Sequence, residues 1–567
     1  MGFIWGRKKK FLSAAQSFGC GMACLAGLAS VSCSPALLNA ARQALLASSS
    51  SSSSNSSSGV ADIAFDGDGY RLTQTGASTL AGGSNEEVFD VKVDSSGRTV
   101  VVGYSENAGG DNIAFVARYL NNGTLDTSFG GGDGIYFGRT DATTSLFLGG
   151  GADKWESVAI DSSTGDIFVS GDSAVSVAPD QRKAVLMKLS SSGALDTTFN
   201  NPDGYVITEI PGGLGFAQEA VAGANDYYSE GKKVLTSTGN TVLMAGTAYA
   251  QSAGACGTMW SWYVARYTSA GALDTSFGEG AGPRTGYRLS SYCNGGVFTA
   301  APWGGTAVVL KSLAQNQATG QIIVVGNVNV TSNQAVVAAY ETDGDFDTTF
   351  NTTGYNVAGD NDFGDGAGTD EESLYGLAID GSGRIITVGF AKRGGGTETS
   401  SLIARYTAAG ILDTTFNTPG TDGFHEGLDY NAAGFSGSYT RENFYKVLID
   451  SATGKYIAVG AAGCDYGLTA APTQSCGRGL IVRFNTDGTV DTAFNAAATF
   501  PGAAGSILGP DPTYGGGTSG GGTWRELFRV IAEHPLGKFV VAGPSRTAAS
   551  ENRGLVLRFD SSWNLDN

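Results

Sequence analysis

Ile113-Ala-Phe-Val-Ala-Arg-Tyr-Leu-Asn-Asn-Gly-Thr-Leu-Asp-Thr-Ser-Phe129 decides the fold, because the chain keeps returning to it. The stretch is a β-rich run ending in Arg-aromatic, then a short polar turn, then Leu-Asp-Thr-Ser-Phe. The closing phrase recurs at Leu195–Phe199, Leu273–Phe277, Phe346–Phe350, Leu412–Phe416 and Val490–Phe494. A further copy begins at Leu565-Asp566, and its complement, Asp62-Ile-Ala-Phe65 with Gly69-Tyr70, stands near the other end of the chain. A repeat split in this way is what a ring needs in order to close.

Each unit carries four short β segments. In the first, Phe89, Val91 and Val93 alternate with Asp90 and Lys92, the period of a half-buried strand. A polar Asp94-to-Gly97 turn follows, then Thr99–Val102, Ile113–Tyr119 and Ile135-Tyr136. The second segment reads as ending in glycine in every unit: Gly103, Gly171, Gly246, Gly326, Gly389, Gly460 and Gly543. Four strands per unit, repeated radially, predict an all-β fold, a single β-propeller of seven four-stranded blades over residues 60–567. Tyr70–Thr73 would be the outer strand of the last blade, paired with Leu555–Phe559. An open solenoid is the alternative, but it exposes sheet edges and leaves the N-terminal half-motif unexplained. The units resemble the delta-60 repeat, in which a glycine-ended strand and an Ala-Arg-Tyr strand precede Gly-x-Leu-Asp-x-x-Phe. That resemblance implies a propeller on an envelope or secreted protein and no assigned activity.

Composition excludes some partners. Acidic residues outnumber basic ones 53 to 35, for a formal net charge of −18. That sign argues against gripping a nucleic-acid backbone, which needs clustered Lys and Arg, and against simple adhesion to anionic lipid headgroups. Glycine, 86 of 567 residues, follows from many tight turns, since no Gly-X-Y period is present.

Residues 1–32 read as a signal peptide: a basic start at Arg7–Lys10, then a small-residue apolar stretch too weak for a permanent membrane span. Ser30-Val31-Ser32-Cys33 resembles the lipobox of bacterial lipoproteins, in which the cysteine becomes the lipidated first residue. Ser30 departs from the usual Leu, and ordinary cleavage with Cys33 incidental is the alternative. Residues 33–59 form a tether, serine from Ser48 to Ser58 broken only by Asn55. The expected address is an exported, outer-membrane lipoprotein at the cell surface, touching membrane through its lipid alone.

A basic residue lies eight before the motif Asp in the pairs Arg118/Asp126, Lys188/Asp196, Arg266/Asp274, Arg405/Asp413, Arg483/Asp491 and Arg558/Asp566, with Ala339 ahead of Asp347. A repeated ion site is one reading. The other, favoured because the pairs follow the fold period, is a structural Arg–Asp pair whose Asp also caps its own turn.

Turns between the first and second strands, and between the third and fourth, are short and alike. Those between the second and third strands, and from blade to blade, are long and different, so they mark one face as the candidate for function. Trp260, Trp262 and Trp303 gather near that face and suit sugar stacking or a protein contact, with burial as the competing reading. Asp360, Asp362 and Asp365 resemble an oxygen-rich calcium loop, although Gly364 takes a ligand position and a solvated acidic crossover also accounts for them. No other cofactor is expected.

The two histidines, His425 and His534, stand in different units, and no nucleophile elbow or phosphate loop is present. Three functions remain: a surface binding or adhesion module for glycan or protein, a periplasm-facing assembly scaffold, and a carboxylate-dependent hydrolase. The binding module is favoured. Cys256, Cys293, Cys464 and Cys476 are read in variable-face loops and are expected to be disulfide-bonded; of the three connectivities four cysteines allow, local pairing of Cys464 with Cys476, leaving Cys256–Cys293, suits their loops. Thiol titration of the unfolded, unreduced mature protein should therefore find none of these four free. Two or more titratable thiols would refute the bridges.

Overall fold

The computed structural model describes residues 70–73, 85–106, 110–138, 153–176, 181–208, 227–251, 258–280, 283–290, 292–294, 297–299, 307–329, 333–358, 363, 371–392, 399–417, 423–427, 442–462, 476–495, 505–508, 524–525, 527–546 and 552–565. They form seven sheets, each with a four-strand antiparallel path, and a separate two-stranded hairpin, Tyr292–Asn294 with Val297–Thr299. In blade 1 the path runs Glu86–Val93, Thr99–Glu106, Asn112–Tyr119, Ile135–Phe137 from inner to outer edge. Blades 2 to 6 repeat that order from Asp153, Tyr227, Ala307, Glu371 and Glu442. Blade 7 takes its inner three strands, Val530–His534, Lys538–Arg546 and Asn552–Phe559, from the end of the chain and its outer strand, Tyr70–Thr73, from the start. Tyr70 pairs with Leu557 and Thr73 with Gly554. The ring is closed by main-chain hydrogen bonds between segments almost 500 residues apart.

The second strands need two apolar faces, and their β-branched runs supply them. Ile322 and Val324 pack toward blade 3, whereas Ile323 and Val325 pack toward blade 5. Every core cluster is of this kind, shared by two consecutive sheets, and one joins blade 7 to blade 1 through Val540, Ala542, Val91 and Val101. A sheet buried on both faces reads as a continuous hydrophobic run rather than an alternation. Each such Val or Ile contributes about 1.5–3 kcal/mol of burial.

The glycine of the second strand does not end it. Strand Thr99–Glu106 runs three residues past Gly103, and Ile385–Lys392 three past Gly389. The reason lies in the inner strand, which carries a β-bulge opposite this position, as between Val88 and Asp90 or Leu374 and Gly376. The bulge drives an inner-strand carbonyl onto the glycine: a Cβ on Gly389 would sit 1.8 Å from the Ser373 oxygen, and one on Gly326 2.0 Å from that of Val309. Nothing but hydrogen fits.

The Leu-Asp-x-x-Phe phrase forms the joint between blades. Asp126 Oδ1 accepts from the Ser128 amide and hydroxyl at 3.0 and 2.6 Å, which shapes the turn. Its Oδ2 takes Arg118 Nε at 2.8 Å, and the guanidinium lies over Phe129, 4.5 Å from the ring centre. Arg118 Nη1 then reaches the Ser191 carbonyl of blade 2 at 2.5 Å. Arg266–Asp274 at 2.8 Å, Arg405–Asp413 at 2.7 Å and Arg483–Asp491 at 2.6 Å repeat the pair. Lys188–Asp196 follows at 2.9 Å, and in blade 4, where Ala339 offers nothing, Gln321 Nε2 donates to Asp347 at 2.6 Å. The motif phenylalanine slides beneath the next blade's turn glycine: a Cβ on Gly410, whose φ is +77°, would meet Phe350 at 2.5 Å.

Gly389→Ala is expected to destabilise the protein by about 3 kcal/mol, the upper range for overpacking a tight site. Gly381→Ala, whose Cβ would meet nothing within 4 Å, should be neutral. Urea unfolding of the two variants beside the parent protein checks both.

Candidate binding site

The bulges that demand the glycines also build the channel. A bulge places an extra residue on one strand and re-aims its side chain. In the inner strands of blades 1 to 6 the bulge residue is Phe89, Glu156, Lys232, Lys311, Tyr375 and Tyr445, and these line one cavity of about 480 Å³ together with Arg529, just before the inner strand of blade 7. The following residues Lys233, Lys446 and Val530 line it too. The bulges lie at or just before the middle of the inner strands, so the cavity sits along the ring axis.

One side of the cavity is an ion network. Lys154 lies 2.7 Å from Glu156 and 3.4 Å from Asp172, and Lys232 lies 2.7 Å from Glu230 and 3.2 Å from Glu156. Burial pushes the Glu156 carboxyl up, but Lys232 and Lys154 outweigh it and hold the group well below the usual carboxylate range. Asp172, fully enclosed, goes the other way: burial and Glu230 raise it despite Lys154 and Arg182.

The other side is aromatic and cationic. Tyr375 has its ring 5.4 Å from Tyr445 and 5.8 Å from Phe390, with Lys311 Nζ 5.1 Å above it. Arg529 lies over Phe89 at 4.8 Å and pairs with Glu87 at 3.2 Å. Burial, with the charge of Lys232, pushes Lys311 down to about 8 against Glu230 and Glu156. Burial, Lys92 and Lys233 push Lys446 down to about 7 against Asp90. Asp90 is committed elsewhere, accepting from Ser157 Oγ at 2.7 Å and from the Val158 amide at 3.1 Å.

The residues singled out from sequence fall elsewhere. Trp262 is a correction: it is fully buried in the third strand of blade 3 and donates from Nε1 to Tyr340 of blade 4 at 2.8 Å, so it belongs to the core and to no ligand. Trp260 stands opposite Tyr249 in the same strand, with its side chain outside the description, and Trp303 lies outside the described residues. So do Cys33, Cys256, Cys464, Asp360, Asp362 and Asp365. Cys293 sits in a small hairpin, and Cys476 opens the strand Cys476–Phe484 rather than lying in a loop. The channel residues escaped sequence reading because they are single positions in seven separate units. The bulge was the available signal, since in blades 1 to 6 the invariable glycine stands across from it.

Three segments, 95–129, 317–350 and 474–494, match the model of a domain of unknown function (DUF5122) beta-propeller. No curated protein matches the sequence. Among solved structures, the beta-propeller domain of the Trilobed protease from Pyrococcus furiosus is similar at TM-score 0.35 and 9% identity, over 85% of this chain and 98% of that one. A protein of unknown function from Dyadobacter fermentans DSM 18053 is similar at TM-score 0.31 and 10% identity, over 86% and 98%. An alpha-L-arabinofuranosidase from Fusarium graminearum is similar at TM-score 0.32 and 9% identity, over 70% and 90%. At these values the likenesses do not bear on function.

Lys446 makes the site pH-sensitive. The folded protein releases its proton near pH 7, whereas the unfolded chain holds it to about pH 10.4. Between those values the unfolded state binds more protons, so stability rises with pH. Lys446→Met should therefore raise the melting temperature most at pH 6 and progressively less toward pH 9.5, as measured by thermal unfolding of both proteins across that range.

Proposed function

We propose that this chain is an exported β-propeller, anchored through a lipid on Cys33 and held off the membrane by its serine tether, that acts as a binding module for glycan or protein. The observation that carries the reading is the contrast between the two kinds of repeat position. At the blade joint the chain repeats Arg, Asp and Phe with little change, as a structural part requires. At the bulge, which the fold equally repeats, it places six side chains of differing charge and shape around one cavity. Variation where the scaffold is uniform suits recognition, because a rigid frame then positions individually chosen groups.

Hydrolysis is less well supported by the same cavity. A carboxyl general acid needs a raised pKa beside a second, ionised carboxylate. Glu156, the carboxylate lining the cavity among the described residues, is instead held ionised by two lysines.

Protease shaving of intact cells, followed with an antibody to the propeller and with lysed cells as control, tests the address. Release from intact cells is the expected outcome. Protection until lysis would overturn surface display and favour a periplasmic assembly scaffold.

A further inference from the structure

We infer that this axial cavity receives a carboxylated sugar, with Lys311 and Lys446 supplying the charge and Tyr375 and Tyr445 lying against the ring. The inference rests on the binding-module reading and names the ligand class of that same cavity.

The first argument is charge left unpaired. Lys154 and Lys232, at the same channel, each lie 2.7 Å from a glutamate. Lys233, Lys311 and Lys446 have no carboxylate within 4 Å among the described residues, although acids outnumber bases 53 to 35 in the chain. Asp90, the acid whose field reaches Lys446 and Lys233, has spent its oxygens on Ser157, Val158 and its neighbour Val91. A half-buried ammonium without a counter-ion is costly, and an incoming anion removes that cost. The remote negative charge does not forbid entry, because charges more than about 8 Å away are largely screened at physiological salt.

The second argument is shape. Lysine is a point charge that suits a carboxylate without demanding the planar fork of arginine recognition. Bare phosphate would leave the tyrosine rings unused. Tyr375 and Tyr445, tilted 55° to each other with centres 5.4 Å apart, offer apolar faces and polar tips to a body that has both. A sugar ring is such a body. A cavity of about 480 Å³ falls within the range of about 300–1,000 Å³ usual for small-molecule sites.

Protonation follows. Lys446 is faced by Lys92 and Asp90 of blade 1, Lys233 of blade 3 and its neighbour Tyr445; Lys311 is faced by Lys232, Glu230, Glu156 and Tyr375. Both lysines are charged at pH 6 and largely neutral at pH 9, while a uronate stays ionised throughout. Affinity therefore falls as pH rises, and binding at pH 8 takes up protons.

The test is isothermal titration of the purified propeller with digalacturonate, its neutral digalactose counterpart and sodium sulfate at pH 6.5 and 9.0, run beside a glycan array of neutral and acidic sugars. Digalacturonate should bind at least tenfold more tightly than digalactose, and at least tenfold more weakly at pH 9.0. At pH 8.0 its heat should vary with buffer in the sense of proton uptake. Lys446→Met and Lys311→Gln, each checked for a cooperative unfolding transition no lower than the parent's, should each weaken it at least tenfold, and Tyr375→Ala should do so without abolishing the pH dependence. Equal affinity for digalactose, full competition by equimolar sulfate, or insensitivity to both lysine changes would each overturn the inference. Retention of neutral glycans alone on the array would overturn it too, yet leave the binding-module reading standing. Retention of no glycan, with no protein partner crosslinked on intact cells, would overturn both.

Discussion

One side chain holds neighbouring blades in place. The arginine at the end of the third strand binds the motif aspartate of its own blade, covers the motif phenylalanine, and donates to a turn carbonyl of the next blade. Arg405 does the same, with its Nη1 at 2.5 Å from the Thr486 oxygen, and Arg558 carries the contact across the ring seam to Asn121. Because the guanidinium is planar and permanently charged, it can satisfy an in-plane carboxylate and a ring face at once. Among the described residues Arg118, Arg266, Arg405 and Arg558 each make this bond to the next blade, so it recurs around the ring.

Departures from the joint show what it requires. At the blade 6 to blade 7 contact the turn glycine is replaced by Trp563, whose φ is +66°. Its ring stacks on Phe539 at 4.4 Å and meets the motif Phe494 edge-on at 5.1 Å, so the pocket is filled from above rather than left open for the phenylalanine below. At the seam, His534 adds its own tie: Nε2 donates to the Gly97 carbonyl at 3.0 Å while Nδ1 accepts from the Leu536 amide at 3.1 Å. The contact between blade 7 and blade 1 is thus reinforced by polar contacts as well as by Arg529–Glu87.

The joint also separates structural duty from recognition. It absorbs the third-strand arginines, the motif aspartates and the motif phenylalanines, and leaves the bulge positions at the axis free of that duty. There the backbone is as constrained as anywhere, since the facing glycine tolerates no Cβ, but the side chain points into open channel and is held to no common type. Half-buried lysines with lowered pKa values beside tilted tyrosines arise in that freedom.

Strand count, strand order and ring closure are legible in the sequence by itself. Each follows from short-range periodicity and from one phrase repeated at fold spacing, and local geometry suffices to read them. The glycine of the second strand was visible but read as a strand end, because its cause is a carbonyl on a different strand. For Trp262 the sequence left a ligand contact and burial both open, and packing against Tyr340 of the next blade decided for burial. Only the tertiary structure brings Glu156, Lys311, Tyr375 and Lys446, up to 290 residues apart, around one cavity. Convergence at an axis is a property of the closed ring, and no single unit contains it.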